Sequence, residues 1–184
     1  MTETLSDIGE FELIRRIDAL LEKVGNRSSK VTLGMGDDAA CFEGREGFDL
    51  LVTCDSMVEG RHYLPEYISP ADLGRRAMVM NISDIGAMGG KPLYALVSLG
   101  LRAETVVKDV EDMYLGFMEE LGPLGGAIIG GNITGMDGPP FIDITLIGEV
   151  ERNERRISGS PVSFSERRSI TVLCALPSQS GSVI

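Results

Sequence analysis

Tryptophan is absent from the chain, histidine occurs once, and aromatic residues make up 5% of the sequence. With so few rings, methionine and aliphatic side chains must fill most of the interior. The three cysteines, Cys41, Cys54 and Cys174, are odd in number and show no C-x-x-C spacing. That excludes a disulfide framework and a structural zinc site and points to reduced thiols. No G-x-x-x-x-G-K-[ST] run exists, so the chain is not a P-loop enzyme, and no complete G-x-G-x-x-G supports a dinucleotide fold. Positive charge is also scarce. Seventeen basic residues against 28 acidic ones give a net charge of −11, which argues against a broad footprint for nucleic acid or anionic lipid. Bound phosphates would then need metal ions or local backbone amides. No uninterrupted apolar stretch is long enough to cross a bilayer, and Met1 to Asp7 lacks a basic segment leading into an apolar run. The expectation is a cytoplasmic protein.

What is present is ordinary globular composition: 184 residues, 43% hydrophobic and 24% charged, enough to bury a proper core. Phe11, Ile14, Ile17, Leu20, Leu21 and Val24 recur at helical spacing and predict an amphipathic helix over 8–24, stopped by Gly25-Asn26. Residues 31–36 and 49–52 read as strands, the second running into Thr53-Cys54-Asp55, so that both acidic signals fall at strand ends or in the loops that follow. Ser69-Pro70-Ala71-Asp72 opens a helix with a Ser cap, Pro in the first turn and an acid at the capping-box position, and Gly89-Gly90 closes it after Met88. A buried strand over 93–101, a helix over 106–121, a short strand over 127–130 and an alternating strand over 141–150 complete the order α-β-β-α-β-α-β-β. This predicts a layered α/β (α+β) fold. The domain comprises residues 1–150; the Arg/Ser-rich stretch from Glu151 marks a boundary, and residues 151–184 read as a divergent tail or the start of a further domain.

Five signals stand in fixed order: Gly34-Met35-Gly36-Asp37-Asp38, Thr53-Cys54-Asp55, Val58-Glu59-Gly60-Arg61-His62, Asn81-Ile82-Ser83-Asp84 and Gly130-Gly131-Asn132. Each alone has a plain structural reading, as a turn, a strand-end cap, a surface histidine or an ion pair. Together they are carboxylates drawn from separate elements, the way a protein builds an oxygen-rich site for hard cations that in turn hold polyphosphate. Of Asp37 and Asp38 only one is expected to point inward, because neighbours in an extended segment face opposite ways. Asp84 is read as a carboxylate buried among Met80, Ile85, Ala87 and Met88, which is costly unless it is paired or bound to metal. His62 has no partnering nucleophile motif, so a catalytic triad is set aside.

The ordered set Gly-x-Gly-Asp-Asp-x-Ala, Thr-x-Asp, Val-Glu-Gly-x-His-Tyr, Asn-x-Ser-Asp-x-x-Ala-Met-Gly and Gly-Gly-Asn-x-Thr resembles the N-terminal domain of the thiamine-monophosphate kinases, in the aminoimidazole-ribonucleotide-synthetase-like superfamily. The match runs from about Gly9 to Val150. The resemblance implies ATP-dependent phosphorylation of thiamine phosphate to thiamine diphosphate, with several Mg2+ ions and ATP as co-substrate. It also implies a mixed sheet packed by helices and a homodimer formed through the sheet. Carried over by position, it makes Asp38, Thr53, Cys54 (through its main chain), Asp55, Asp84 and Asn132 metal ligands. His62 becomes a contact to the thiamine phosphate, and Gly131, Asn132 and Arg156 become contacts to ATP. Two departures stand out. The family usually has Asp where this chain has Asn132, an oxygen donor without charge, and the family pattern fades after Arg156. The expectation is a truncated or frame-altered product; the alternatives are another ATP-using enzyme of the superfamily, or a non-catalytic nucleotide- and metal-binding remnant.

Overall fold

A computed structural model describes residues 3–26, 31–33, 41–42 and 44–152. The first helix, α1 (Leu5–Lys23), starts where the Thr4 amide donates to the Asp7 carboxylate at 2.8 Å, a capping box with Asp in the acidic role. Gly9, at φ 76°, breaks the helix into a short first turn and a longer run. The buried stripe is Leu13, Ile17 and Leu21, spaced four apart, while Phe11 is 87% exposed. The apolar set read from sequence is therefore rotated from the true one, since Leu13 belongs to the core and Phe11 and Val24 do not.

A two-stranded antiparallel pair follows, β1 (Val31–Leu33) and β2 (Cys41–Phe42), the latter not foreseen from sequence. The main sheet is built from β3 (Phe48–Val58), β4 (Lys91–Leu101), β5 (Ala127–Gly135) and β6 (Phe141–Glu151), in the order β3-β6-β4-β5. β6 runs antiparallel to both β3 and β4, whereas β4 and β5 are parallel, joined by the crossover helix α3 (Val107–Leu121). The result is a mixed sheet packed by helices, an α+β layering. Two strands are longer than the sequence suggests. Thr53-Cys54-Asp55 and Gly130-Gly131-Asn132 both lie inside strands rather than at their ends. Asp and Gly signal a break to a sequence reader, but ladder pairing on either side carries the backbone through them.

One face of the sheet is sealed. Met57, Val97, Leu99, Ile142, Ile144 and Leu146 pack there against Met78, Phe117 and Leu121 of the helices. Helix α2 (Pro70–Ala87) begins as read, with the Asp72 amide donating to the Ser69 hydroxyl at 3.1 Å. It crosses α3 at two glycines. A Cβ at Gly74 would lie 2.1 Å from the Met113 carbonyl oxygen, and one at Gly116 would lie 2.1 Å from that of Ala71. The two backbones touch, so no side chain separates them. The opposite face of the sheet is uncovered at β3, where Leu50 and Val52 are 52% and 67% exposed. At the outer edge of β5 the Asn26 side chain stands in for a neighbouring strand, donating to the Ile128 carbonyl at 2.7 Å and accepting from its amide at 2.6 Å. That edge is thereby plugged at one residue pair.

Candidate functional site

Alternation along β3 sorts its central residues between the two faces. Thr53 and Asp55 share the helix-covered side with Leu51 and Met57, since their cross-strand partners Leu146 and Ile144 are in the core. Cys54 and Ser56 point to the uncovered side. Above Thr53 lies the last turn of α2, and the Thr53 hydroxyl donates to the Asp84 carboxylate at 2.7 Å. Residues 31 positions apart are thus joined by a charge-assisted bond.

Asp84 is exposed, which corrects the reading of a buried acid. The buried positions of α2 are Leu73, Gly74, Ala77, Met78, Asn81, Ser83 and Ile85, and Asp84, exposed between the last two, reaches toward Thr53 of β3. Asp55 is its electrostatic neighbour. Partial burial, then the charge of Asp84, then that of Asp143 push the Asp55 carboxyl above its ordinary range. Among the described residues no lysine or arginine forms an ion pair with Asp55 or Asp84. Two carboxylates facing one another beside a hydroxyl make an all-oxygen donor set, which suits a hard divalent cation better than a soft one. The described residues contain no cluster of three or more His, Cys, Asp or Glu able to hold a metal. Asp38 and Arg156 lie outside the described residues.

The remaining candidates are distributed around this pair. Gly131 is level with Asp55 across the sheet, through Ile144 and Val97, three strands away. At ordinary strand spacing that is about 14 Å, too far for one ion to touch both. Its lack of a side chain has a packing cause, because a Cβ would lie 1.9 Å from the Val97 carbonyl oxygen. Asn132 pairs with Ser98, which pairs with Asp143, which pairs with Ser56. This row lies on the uncovered face, so the side chains of Asn132 and Cys54 are on the other side of the sheet from Thr53, Asp55 and Asp84. The Cys54 thiol donates to Asp143 at 3.1 Å, and Ser56 donates to the same carboxylate. A bond from Thr145 pulls the thiol down, but the bond to Asp143, burial, and the charges of Asp143 and Asp55 hold it above its usual range.

His62 sits in the turn that ends β3. The Val58 amide donates to its Nδ1 at 2.9 Å, which leaves the ring proton on Nε2, facing out. Three residue steps of extended chain run from Asp55 to Val58, about 10 Å. Sequence reading missed the ion pair beneath this turn, in which Arg102 donates to Glu59 at 2.8 Å. Its members are 43 positions apart, and while Glu59 belongs to the Val58–His62 signal, Arg102 belongs to none of the five. Asp143 was missed as a site residue too, although its place between Ile142 and Ile144 in an alternating strand was a usable signal.

Comparison with known proteins supplies the remaining findings. A family model described as AIR synthase related protein, N-terminal domain, matches residues 36–150. A thiamine-monophosphate kinase of Bacillus subtilis is 39% identical over 127 residues, covering 68% of this chain and 39% of the relative. The solved structure of thiamine-monophosphate kinase from Stenotrophomonas maltophilia superposes with a TM-score of 0.66 at 32% identity, over 80% of this chain and 44% of that one. AaThiL complexed with AMPPCP and TMP superposes with a TM-score of 0.55 at 36% identity, over 83% and 45% of the two chains. The chain spans about two fifths of the length of the curated relatives it matches.

Proposed function

Because the chain belongs to the AIR synthase related protein family through that family's N-terminal domain, we propose that it is the ATP- and magnesium-binding part of a thiamine-phosphate kinase acting in the cytoplasm. The observation that carries this reading is the 2.7 Å bond that brings Asp84 of α2 to Thr53 of β3, beside Asp55. The similarity to AaThiL complexed with AMPPCP and TMP supports the choice of substrates.

Thr53, Asp55 and Asp84 would hold magnesium, with Asp38 and the main chain at Cys54 as further ligands, while the Asn132 side chain, on the other face of the sheet, would be out of reach of that ion. Bound magnesium supplies charge neutralisation between donor and acceptor anions. The reaction needs little else from the protein. A phosphate oxygen of thiamine phosphate, already ionised near neutral pH, attacks the γ-phosphorus of ATP in line, and the bond to the β,γ-bridging oxygen breaks as ADP leaves. No strong protein base is required. The work of the chain is alignment of two mutually repelling anions. His62 Nε2–H would donate to the acceptor phosphate, while Gly131, Asn132 and Arg156 would contact ATP. A second copy of the chain covers the open sheet face around Leu50 and Val52, giving a homodimer. Light scattering tests that, and a strict monomer would count against it.

A second reading is favoured by Asn132, an oxygen donor without charge where the family usually has Asp: a module that binds Mg·ATP without turnover. Incubation with ATP, magnesium and thiamine phosphate separates the two. Thiamine diphosphate among the products supports the kinase, and tight Mg·ATP binding with no product supports the module. Consumption of ATP only with some different acceptor would reject thiamine phosphate as substrate.

A further inference from the structure

The turn after β3 is more firmly built than its exposure suggests. Gly60, at φ 76°, allows the reversal, and its amide donates to the Tyr63 carbonyl at 2.8 Å. The Glu59 amide donates to Pro140 at 2.9 Å, tying the turn to the entry of β6. Beneath it, Arg102, just past the end of β4, holds the Glu59 carboxylate with both arms of its fork, at 2.8 and 3.4 Å. Tyr63 packs on the core beside this pair, and burial together with the Glu59 charge pushes its hydroxyl up to about 12. The side chains of Glu59 and Arg102 are 21% and 35% exposed, so solvent weakens their attraction only in part. All of this fixes the three residues between Val58 and His62, and it is their path that lets the Val58 amide reach the ring at Nδ1.

We propose that Arg102 and Glu59 are a positioning pair for the acceptor side of the reaction: by fixing the turn they lock His62 as the Nε2–H tautomer and present that N–H as a neutral donor to the phosphate of the acceptor. The inference rests on the kinase reading for the identity of that phosphate, and the tautomer lock itself does not. A neutral donor suits a site that must pass a phosphate oxygen on to chemistry, since a fixed cation there would bind the acceptor's charge and lower its nucleophilicity. Specificity follows as well. Free thiamine offers no phosphate to this N–H and gains nothing from the lock.

The chain has a single histidine, so ring-nitrogen NMR of histidine-labelled protein reports on His62 alone. The expected spectrum of the neutral ring is dominated by the Nε2–H tautomer, and Arg102→Ala is expected to give a mixture of tautomers, with Arg102→Lys between the two. Titration with thiamine phosphate is expected to move the Nε2 signal. Binding is expected to weaken about tenfold in Arg102→Ala, the loss of roughly one charged hydrogen bond, with affinity for the ATP analogue AMPPCP unchanged. His62→Ala is expected to weaken acceptor binding equally, and the double variant no further. A mixed spectrum in the unmodified chain, or a lock that survives both Arg102→Ala and Glu59→Gln, would overturn the positioning role. A lock present but untouched by thiamine phosphate would overturn the phosphate role. The kinase reading is judged separately, by whether thiamine diphosphate forms.

Discussion

Replacing Asp55 by Asn should stabilise the metal-free protein and destabilise the metal-bound one relative to the unmodified chain. Without a cation, Asp55 is ionised in a partly buried position beside Asp84, and its carboxyl is raised by burial first and by that neighbour second. A like-charged neighbour near the surface costs about 0.5–1 kcal/mol, and the isosteric amide removes that cost. The sign with pH follows. A carboxyl raised on folding binds more protons in the native state, so native stability falls as pH climbs from the ordinary value of 3.8 through the raised one. The deficit against Asn is therefore complete at neutral pH and vanishes in acid. With magnesium at a hundredfold its dissociation constant the unmodified chain gains about 2.7 kcal/mol, most of which the variant forfeits. The order of stability should thus reverse, by about 2 kcal/mol in favour of Asp55. Urea unfolding at neutral pH, once with chelator and once with excess magnesium, reads both arms. A variant less stable than the parent in chelator, or one that gains as much from magnesium, would refute the account.

Further outcomes follow from the same structure. Gly116→Ala places a methyl against the Ala71 carbonyl and should cost about 1–3 kcal/mol in a urea melt, because the two helices must move apart. Asp143→Asn removes the negative charge that helps hold the Cys54 thiol up and leaves a neutral amide in place of the carboxylate, so alkylation of Cys54 at neutral pH should become several-fold faster; mass spectrometry of the modified peptide gives the rate. Ser69→Ala deletes the cap on α2 and should lower stability by about 1 kcal/mol, measured by thermal unfolding, with magnesium affinity unchanged.

Much of this was legible in the sequence where local chemistry and tertiary role agree. The opening of α2 at Ser69-Pro70 and the alternation of Ile142, Ile144 and Leu146 in β6 each follow from a local rule that the packed domain also obeys. Legibility fails where a residue's place is decided by a neighbour distant in sequence. Asp55 and Gly131 look like strand breakers, yet both sit within strands, the first because β6 pairs along its whole length and the second because Val97 leaves no room for a side chain. Asp84 read as buried because its sequence neighbours are apolar, and the helix turned it out by one flank. The alignment of Thr53, Asp55 and Asp84 on one side of the sheet was anticipated only as a convergence. Which face they share is decided by register, and sequence carries register weakly.

The Asn26 side-chain amide at the outer edge of β5 also gives the molecule a chemical clock. Hydrolysis of Asn26 to aspartate, the ordinary ageing reaction of asparagine, would exchange the nitrogen that donates to the Ile128 carbonyl for an oxygen that repels it. The end of α1 would lose this anchorage on the sheet, and among the described residues nothing else would pair with the Ile128 backbone on that side. Old preparations should thus precipitate before they unfold, and the lesion would be one dalton heavier than the native chain.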